Sequence, residues 1–79
     1  MSQVTVRYWA GAQAAAGIAS EELEARTVGE LLDVATARHA ALGPVLGLCA
    51  IVADGRRLDL QDDVPAGATV EVLPPFAGG

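Results

Sequence analysis

The sequence has no lysine, one cysteine and one histidine, and each shortage excludes a class of protein. Five arginines face ten acidic residues, so the net charge of -5 leaves no basic surface that a nucleic-acid binder could place against phosphates. The single cysteine, Cys49, cannot form an internal disulfide, and with the lone His39 it supplies too few ligands for a metal site. Most of the ordinary sets of catalytic side chains are therefore missing, and the acidity favours positively charged protein partners.

Long apolar runs are also missing. No run approaches the roughly 20 residues that a helix needs to cross a bilayer, and the first residues lack the basic-then-apolar pattern of a secretory signal. We therefore expect a cytoplasmic protein. The 79 residues make one small domain, of a size that buries only about 60% of the surface its unfolded form exposes. We predict a single domain over residues 1–79, with residues 74–79 as a projecting tail.

The first half of the chain contains two strand patterns and the start of one clear helix. Residues 3–9 alternate like a half-buried strand, and 18–25 form a second, more acidic one. The small residues of 10–17 between them predict a loop. Thr27 and Glu30 have the spacing of a capping box, in which the hydroxyl accepts the N3 amide and the carboxylate reaches back to the amide of the cap residue.

The second half of the chain completes the sheet. We expect the helix to end at Gly43-Pro44, because glycine suits a left-handed exit and proline cannot continue the hydrogen-bond ladder. Strands are predicted over 48–53, within 56–60 and over 69–73, with a tight turn at Asp54-Gly55. The order β-β-α-β-β-β predicts an α+β fold, a mixed sheet with the main helix packed on one face.

The first and last strands match as parallel neighbours at the centre of this sheet. Their outward residues would then align in three pairs, Thr5 with Thr69, Arg7 with Glu71, and Trp9 with Leu73. The third pair would leave an apolar patch on the helix-free face. Two interpretations of Trp9 stay open, an anchor for a partner and partial burial in the core.

The remaining titratable side chains are interpreted as structural. Cys49 is predicted to behave as a small core residue, and His39, late in the helix, as a group whose positive charge the helix dipole favours. Three acids, Glu21, Glu22 and Glu24, are predicted to form a solvated edge.

The sequence after the last strand reads Pro74-Pro75-Phe76-Ala77-Gly78-Gly79. Two prolines cannot donate to a sheet and hold the chain extended, and six residues can reach about 20 Å. Gly78 and Gly79 have no side chains and would fit a narrow tunnel in a partner. A terminal carboxylate has a pKa near 3.5, so it is ionised at neutral pH and must be activated, most simply by adenylation, before a nucleophile can attack it. The tail is thus typical of a carrier arm, although a frayed terminus is the plainer alternative.

Four segments together carry a family resemblance. These are VTVRYWA, the small-residue segment closed by Gly17, the helix start TVGELL, and the ending GATVEVLPPFAGG. The chain resembles the MoaD/ThiS family of sulfur carriers, and most of all its molybdopterin synthase small-subunit branch, for which a strand followed by Pro-Pro-x-x-Gly-Gly is typical. The resemblance implies the ubiquitin-like β-grasp fold.

The resemblance also implies a chemistry and a set of partners. An E1-like adenylyltransferase, using its own ATP and Mg, would activate Gly79, and a sulfur donor protein would convert the acyl-adenylate to a thiocarboxylate. The tail would then enter the large subunit of molybdopterin synthase and pass sulfur to cyclic pyranopterin monophosphate. On this basis the chain binds no cofactor and is not an enzyme on its own. Gly78 and Gly79 would be its functional residues, and the partner contacts would come from Trp9, Leu73, Pro74, Pro75, Phe76 and Ala77.

Three alternatives remain to the hypothesis of a sulfur carrier for molybdopterin synthesis. The sulfur could serve thiamine, a sulfur-containing amino acid or a specialised metabolite, although the double proline counts against thiamine. The chain could instead be a ubiquitin-like modifier that forms isopeptide bonds. Finally, it could be a plain binding module that uses the Trp9/Leu73 face.

Overall fold

A mixed sheet of five strands carries the helices on one face in the computed structural model, which describes residues 2–75. The strands are β1 (Ser2–Tyr8), β2 (Ser20–Ala25), β3 (Ala50–Ala53), β4 (Arg56–Leu58) and β5 (Thr69–Leu73). They lie in the order β2-β1-β5-β3-β4, in which β1 and β5 are parallel and the other neighbours are antiparallel. The predicted α+β fold and the parallel pairing of the terminal strands are both confirmed.

The register between β1 and β5 confirms two of the three predicted pairs. Thr5 lies beside Thr69 and Arg7 beside Glu71, but the ladder ends at Tyr8 opposite Val72. The third pair is not formed, because Trp9 lies after the end of β1, at the cap position of a helix. Leu73 pairs with Ala50 of β3 instead.

Within residues 2–75, three helices and one 3-10 turn connect the strands. The helices are α1 (Ala10–Ala16), α2 (Val28–Arg38) and α3 (Gly43–Leu46), and the turn covers Ala40–Leu42. The predicted loop at 10–17 is wrong, since α1 occupies most of it. Alanine is the best helix former, two alanines of α1 are buried, and Gly17 ends the helix with a left-handed φ of 78°.

The start of α2 follows the predicted capping box with one difference. The Thr27 hydroxyl accepts a hydrogen bond from the Glu30 N–H at 3.2 Å, as expected. The Glu30 carboxylate, however, accepts from the N–H of Arg26 at 2.9 Å, one residue before the cap. Both interactions satisfy backbone donors at the entry to the helix.

The end of α2 corrects the sequence-based boundary. The helix stops at Arg38 with His39 as its cap, and Gly43 and Pro44 begin α3 instead of ending α2. Proline is tolerated in the first turn of a helix, where its missing N–H has no partner to lose. Gly43 accordingly has an ordinary right-handed φ of -48° rather than the left-handed value expected.

The β3–β4 hairpin turns at Asp54-Gly55, as predicted. Both residues have positive φ, 49° and 85°, which is the conformation of the tight hairpin turn that favours this dipeptide. The strand before it begins at Ala50, two residues later than expected.

The core lies between the sheet and the helices. Its buried side chains come from the inward positions of the strands and from the facing sides of the helices, and the largest are Tyr8, Leu31, Leu42, Val4, Val6, Val28, Val70 and Val72. Within residues 2–75, no helix is long and apolar enough to span a membrane.

Candidate functional site

The chain leaves the body of the protein from the middle of the sheet. β5 lies between β1 and β3 and ends at Leu73. Pro74, which follows, is half-buried, and Pro75 is exposed. Neither proline has an N–H to extend the ladder, so pairing stops here. The other predicted tail residues, Phe76, Ala77, Gly78 and Gly79, lie outside the described residues.

Trp9 lies at the base of this tail. Its backbone is extended, and its N–H donates to the carbonyl oxygen of Val72 at 3.2 Å, which ties the start of α1 to β5 just before the prolines. The side chain is 37% exposed, and the guanidinium carbon of Arg7 lies 4.9 Å from the ring centroid. This cation–π contact holds the indole toward the helix-free face. Trp9 is therefore available to a partner rather than buried in the core.

The helix-free face of the sheet carries alternating charge next to Trp9. Ser20, Arg7, Glu71, Val52 and Arg57 are register neighbours across the five strands. Glu71 thus has an arginine on its β1 side and another two strands away on its β3 side. The same alternation places half-buried Leu73 on this face, near the tail. A partner that binds here would meet apolar groups at the tail and charges of both signs farther away.

An apolar groove lies at the base of the tail on the helix-bearing side. Its volume is about 300 Å³, and it is lined by Ala10-Gly11 of α1, Pro44-Val45 of α3, Leu48 and Pro74-Pro75. Leu48 is 66% exposed, so this wall of the groove is open to water. We call this feature the tail-base groove.

The prediction of a solvated edge formed by three acids is wrong for Glu21. Glu22 and Glu24 are exposed as expected, but the side chain of Glu21 is only 7% exposed. Val6 is its partner in the ladder, so Glu21 faces the core together with Leu23, two residues along β2. The alternation of β2 contained this signal, because the residue two positions before an inward leucine also points inward.

Glu21 is the centre of a cluster that also contains Tyr8, Arg38 and His39, which we call the Glu21 cluster. The Tyr8 hydroxyl and the His39 Nε2 both donate to Oε2 at 2.7 Å, and the Arg38 Nε lies 3.0 Å from Oε1. The rings of Tyr8 and His39 meet edge to face, with centroids 6.2 Å apart. The cluster joins β1, β2 and the end of α2, and His39 therefore has a structural partner that the helix-dipole interpretation did not include.

The electrostatics of the Glu21 cluster favour the ionised carboxylate. Desolvation by itself raises the pKa of Glu21, but the bonds from Tyr8 and His39, with the charges of His39 and Arg38, outweigh it and leave the pKa below its ordinary value. For Tyr8, burial and then the hydrogen bond and charge of Glu21 raise the pKa above its ordinary range. The tyrosine is thus a neutral donor and the glutamate a charged acceptor.

Cys49 is half-buried against the core, as predicted. Its thiol donates to the carbonyl oxygen of Val45 at 3.3 Å, and burial raises the pKa of the thiol. A thiol that stays protonated is a weak nucleophile. In the part of the chain that the structure describes, no three His, Cys, Asp or Glu side chains lie close enough to hold a metal ion.

Comparison with known proteins adds a family and a set of similar structures. Residues 6–79 match the ThiS family, and no curated protein sequence matches the chain. A putative molybdopterin converting factor subunit 1 from Pyrococcus furiosus is 25% identical with a TM-score of 0.82, and the match covers 96% of this chain and 100% of that one. Another similar structure is a complex of subunits 1 and 2 of the molybdopterin-converting factor from Helicobacter pylori. The matching chain is 26% identical with a TM-score of 0.72, and the match covers 98% of this chain and 99% of that one.

A third similar structure is small archaeal modifier protein 1 from Methanosarcina acetivorans. It is 24% identical with a TM-score of 0.88, over 100% of this chain and 98% of that one. At this identity the likeness shows the fold alone. Together the similar structures confirm the β-grasp architecture.

Proposed function

Because the chain belongs to the ThiS family of small sulfur-carrier and ubiquitin-like proteins, we propose that it carries sulfur on Gly79 for the synthesis of the molybdenum cofactor. Two similar structures, from P. furiosus and H. pylori, bear the name of the molybdopterin converting factor and support this pathway. The proposed acceptor is cyclic pyranopterin monophosphate, held by a large synthase subunit. The chain itself is then the sulfur-donating, non-catalytic subunit of that complex.

The observation that carries the proposal is the exit of the chain after β5. An inner strand ends at two prolines, with an exposed indole and Leu73 beside them on the open face of the sheet. The base of the tail is thus held firmly by neighbours on both sides, while proline prevents the tail from joining the sheet. This geometry suits a carboxylate that must be presented to another protein's active site.

The proposed chemistry proceeds in three steps on the Gly79 carboxylate. A carboxylate oxygen attacks the α-phosphorus of ATP on an E1-like adenylyltransferase, which forms the acyl-adenylate and releases pyrophosphate. A persulfide on the donor protein then attacks the acyl carbon and expels AMP, and reduction of the acyl disulfide by a thiol leaves the thiocarboxylate. ATP and Mg belong to the activating enzyme. The use of ATP agrees with the cytoplasmic location that we expect.

The partner contacts follow from what surrounds the tail. The H. pylori structure is a complex of subunit 1 with subunit 2, and we propose a comparable large-subunit partner for this chain. Trp9, Leu73, Pro74 and Pro75 would contact that partner at the base of the tail. Phe76 to Gly79 would enter its active site.

Intact mass spectrometry tests the proposal directly. The full chain is co-expressed with the adenylyltransferase and a sulfur source, and it should gain the mass of sulfur replacing oxygen. The matched control is the deletion of Gly79 alone, which still ends in a glycine carboxylate but is one residue shorter and should gain nothing. A full-length chain that never acquires sulfur under these conditions would refute the proposal.

Protein modification is the second candidate function, because this chain shares its fold with an archaeal modifier protein. An activated Gly79 could also acylate the amine of a lysine. The same co-expression distinguishes the two, because a modifier would produce higher-mass conjugates on a denaturing gel. A sulfur carrier would produce the thiocarboxylate without such conjugates.

A further inference from the structure

The tail-base groove is apolar on each of its described walls. Two small residues of α1, Ala10 and Gly11, leave space on one side, and Val45 of α3 and Leu48 bound the other. A Cβ built on Gly11 would meet nothing within 4 Å, so this wall is open rather than closely packed. Leu48 is mostly exposed to water. An apolar occupant would therefore remove hydrophobic surface from water on several sides at once.

The chain supplies an apolar side chain next to this groove. Pro74 and Pro75 line it themselves, and the next residue in the sequence is Phe76, the only phenylalanine. Consecutive Cα atoms are about 3.8 Å apart across a trans peptide, so the residue that follows Pro75 is joined directly to the lining of the groove. A segment attached to its own site is present at high effective concentration, so its docking loses conformational entropy but not the translational entropy of a separate molecule.

We propose that the tail-base groove is the docking site of Phe76 when the chain has no partner. The groove lies on the helix-bearing side of the sheet, whereas Arg7 holds Trp9 toward the helix-free face. A docked Phe76 therefore leaves the helix-free face open to a partner while the aromatic ring stays out of water.

Docking would shorten the free part of the tail. With Phe76 in the groove, residues 77–79 reach about 10 Å from it, whereas residues 76–79 reach about 14 Å when the ring is released. A partner that takes the whole tail must therefore withdraw Phe76 from the groove. Release of this side chain becomes one step of recognition.

NMR spectroscopy of the isotope-labelled full chain tests the docking without any partner. We expect nuclear Overhauser contacts between the ring of Phe76 and the methyl groups of Val45 and Leu48. Leu48→Ser should abolish these contacts and Phe76→Ala should shift the Val45 methyl signals. Leu60→Ser is the matched control, because Leu60 is 61% exposed and lies outside the groove, and it should leave the contacts unchanged.

Absence of these contacts in the wild-type chain, with the ring signals of Phe76 assigned, would overturn the inference. So would groove methyl signals that respond only when a partner is added, because the groove would then belong to the partner. The test is independent of the sulfur chemistry. A chain that docks Phe76 but never gains sulfur would keep this inference and lose the proposed function.

Discussion

Replacement of Glu21 by glutamine should destabilise the fold by about 2–3 kcal/mol, although the change removes only a charge. The three groups around the carboxylate, Tyr8, His39 and Arg38, are all donors. An amide oxygen can still accept from Tyr8 and His39, but those two bonds lose their charge assistance, at about 1 kcal/mol each. Arg38 would then face the amide NH2 in place of an oxygen, and because its side chain is 56% exposed, this adds only about 0–1 kcal/mol.

Urea and thermal unfolding followed by circular dichroism measure this loss. For a domain of this size, 1 kcal/mol corresponds to roughly 4–8 °C in melting temperature, so we expect a decrease of about 10–20 °C. Glu22→Gln is the matched control on the same strand. Its carboxylate is exposed and accepts from Gln3 on the surface, and we expect a change within about 0.5 kcal/mol.

The pH dependence supplies a second measurement. Since the pKa of Glu21 is lower in the folded chain than in the unfolded chain, its contribution to stability is fully present above the unfolded value, about 4.3. That contribution is lost as the pH falls through the lower folded pKa. The stability difference between the wild type and Glu21→Gln should therefore be largest near neutral pH and shrink below about pH 4. Equal stability losses in the Glu21 and Glu22 variants at neutral pH would refute the reasoning.

Three further substitutions test the local structure by the same unfolding assay. Thr27→Ala removes the cap of α2 and should lower the free energy of unfolding by only about 0.5–1 kcal/mol. The loss is small because the N–H groups of Val28 and Gly29 already donate to the carbonyl oxygens of Asp62 and Leu60. A loss above about 2 kcal/mol would contradict this. Gly55→Ala should lower the free energy of unfolding by about 1–2 kcal/mol, because Gly55 has a φ of 85° and a residue with a Cβ is strained in that conformation. Unchanged stability would contradict this. Gly11→Ala should raise the free energy of unfolding by about 0.5–1 kcal/mol, because the added methyl group meets no atom of residues 2–75 within 4 Å and glycine weakens a helix. Destabilisation would contradict this.

Several features of the candidate site could be predicted from the sequence because their causes are short-range. The alternation in β1 and β5 places residues on two faces, and the outward pairs Thr5–Thr69 and Arg7–Glu71 predicted the parallel register. The double proline after β5 marks the exit of the tail whatever the rest of the chain does. Leu73 and Trp9 were found as candidate contacts by the same alternation, although Trp9 lies beyond the ladder.

Other features could not be found in this way because sequence neighbours do not determine them. α1 is built of small residues without an apolar period, and it is a helix because its buried alanines pack on the core and Trp9 ties its start to β5. The tail-base groove likewise requires α1, α3 and the two prolines, which only the fold brings together.

By itself, the sequence determined the order of the strands along the chain, the parallel pairing of the first and last strands, the capped start of α2, the Asp54-Gly55 hairpin and the end of the last strand at two prolines. Each of these depends on alternation, caps or turns within a few residues. The tertiary structure alone decided which groups surround the inward Glu21 carboxylate: two donors on Oε2 and an ion pair from Arg38 on Oε1. Its partners Tyr8 and His39 are 13 and 18 residues away in sequence, and a carboxylate can be buried only where folding brings such donors to it.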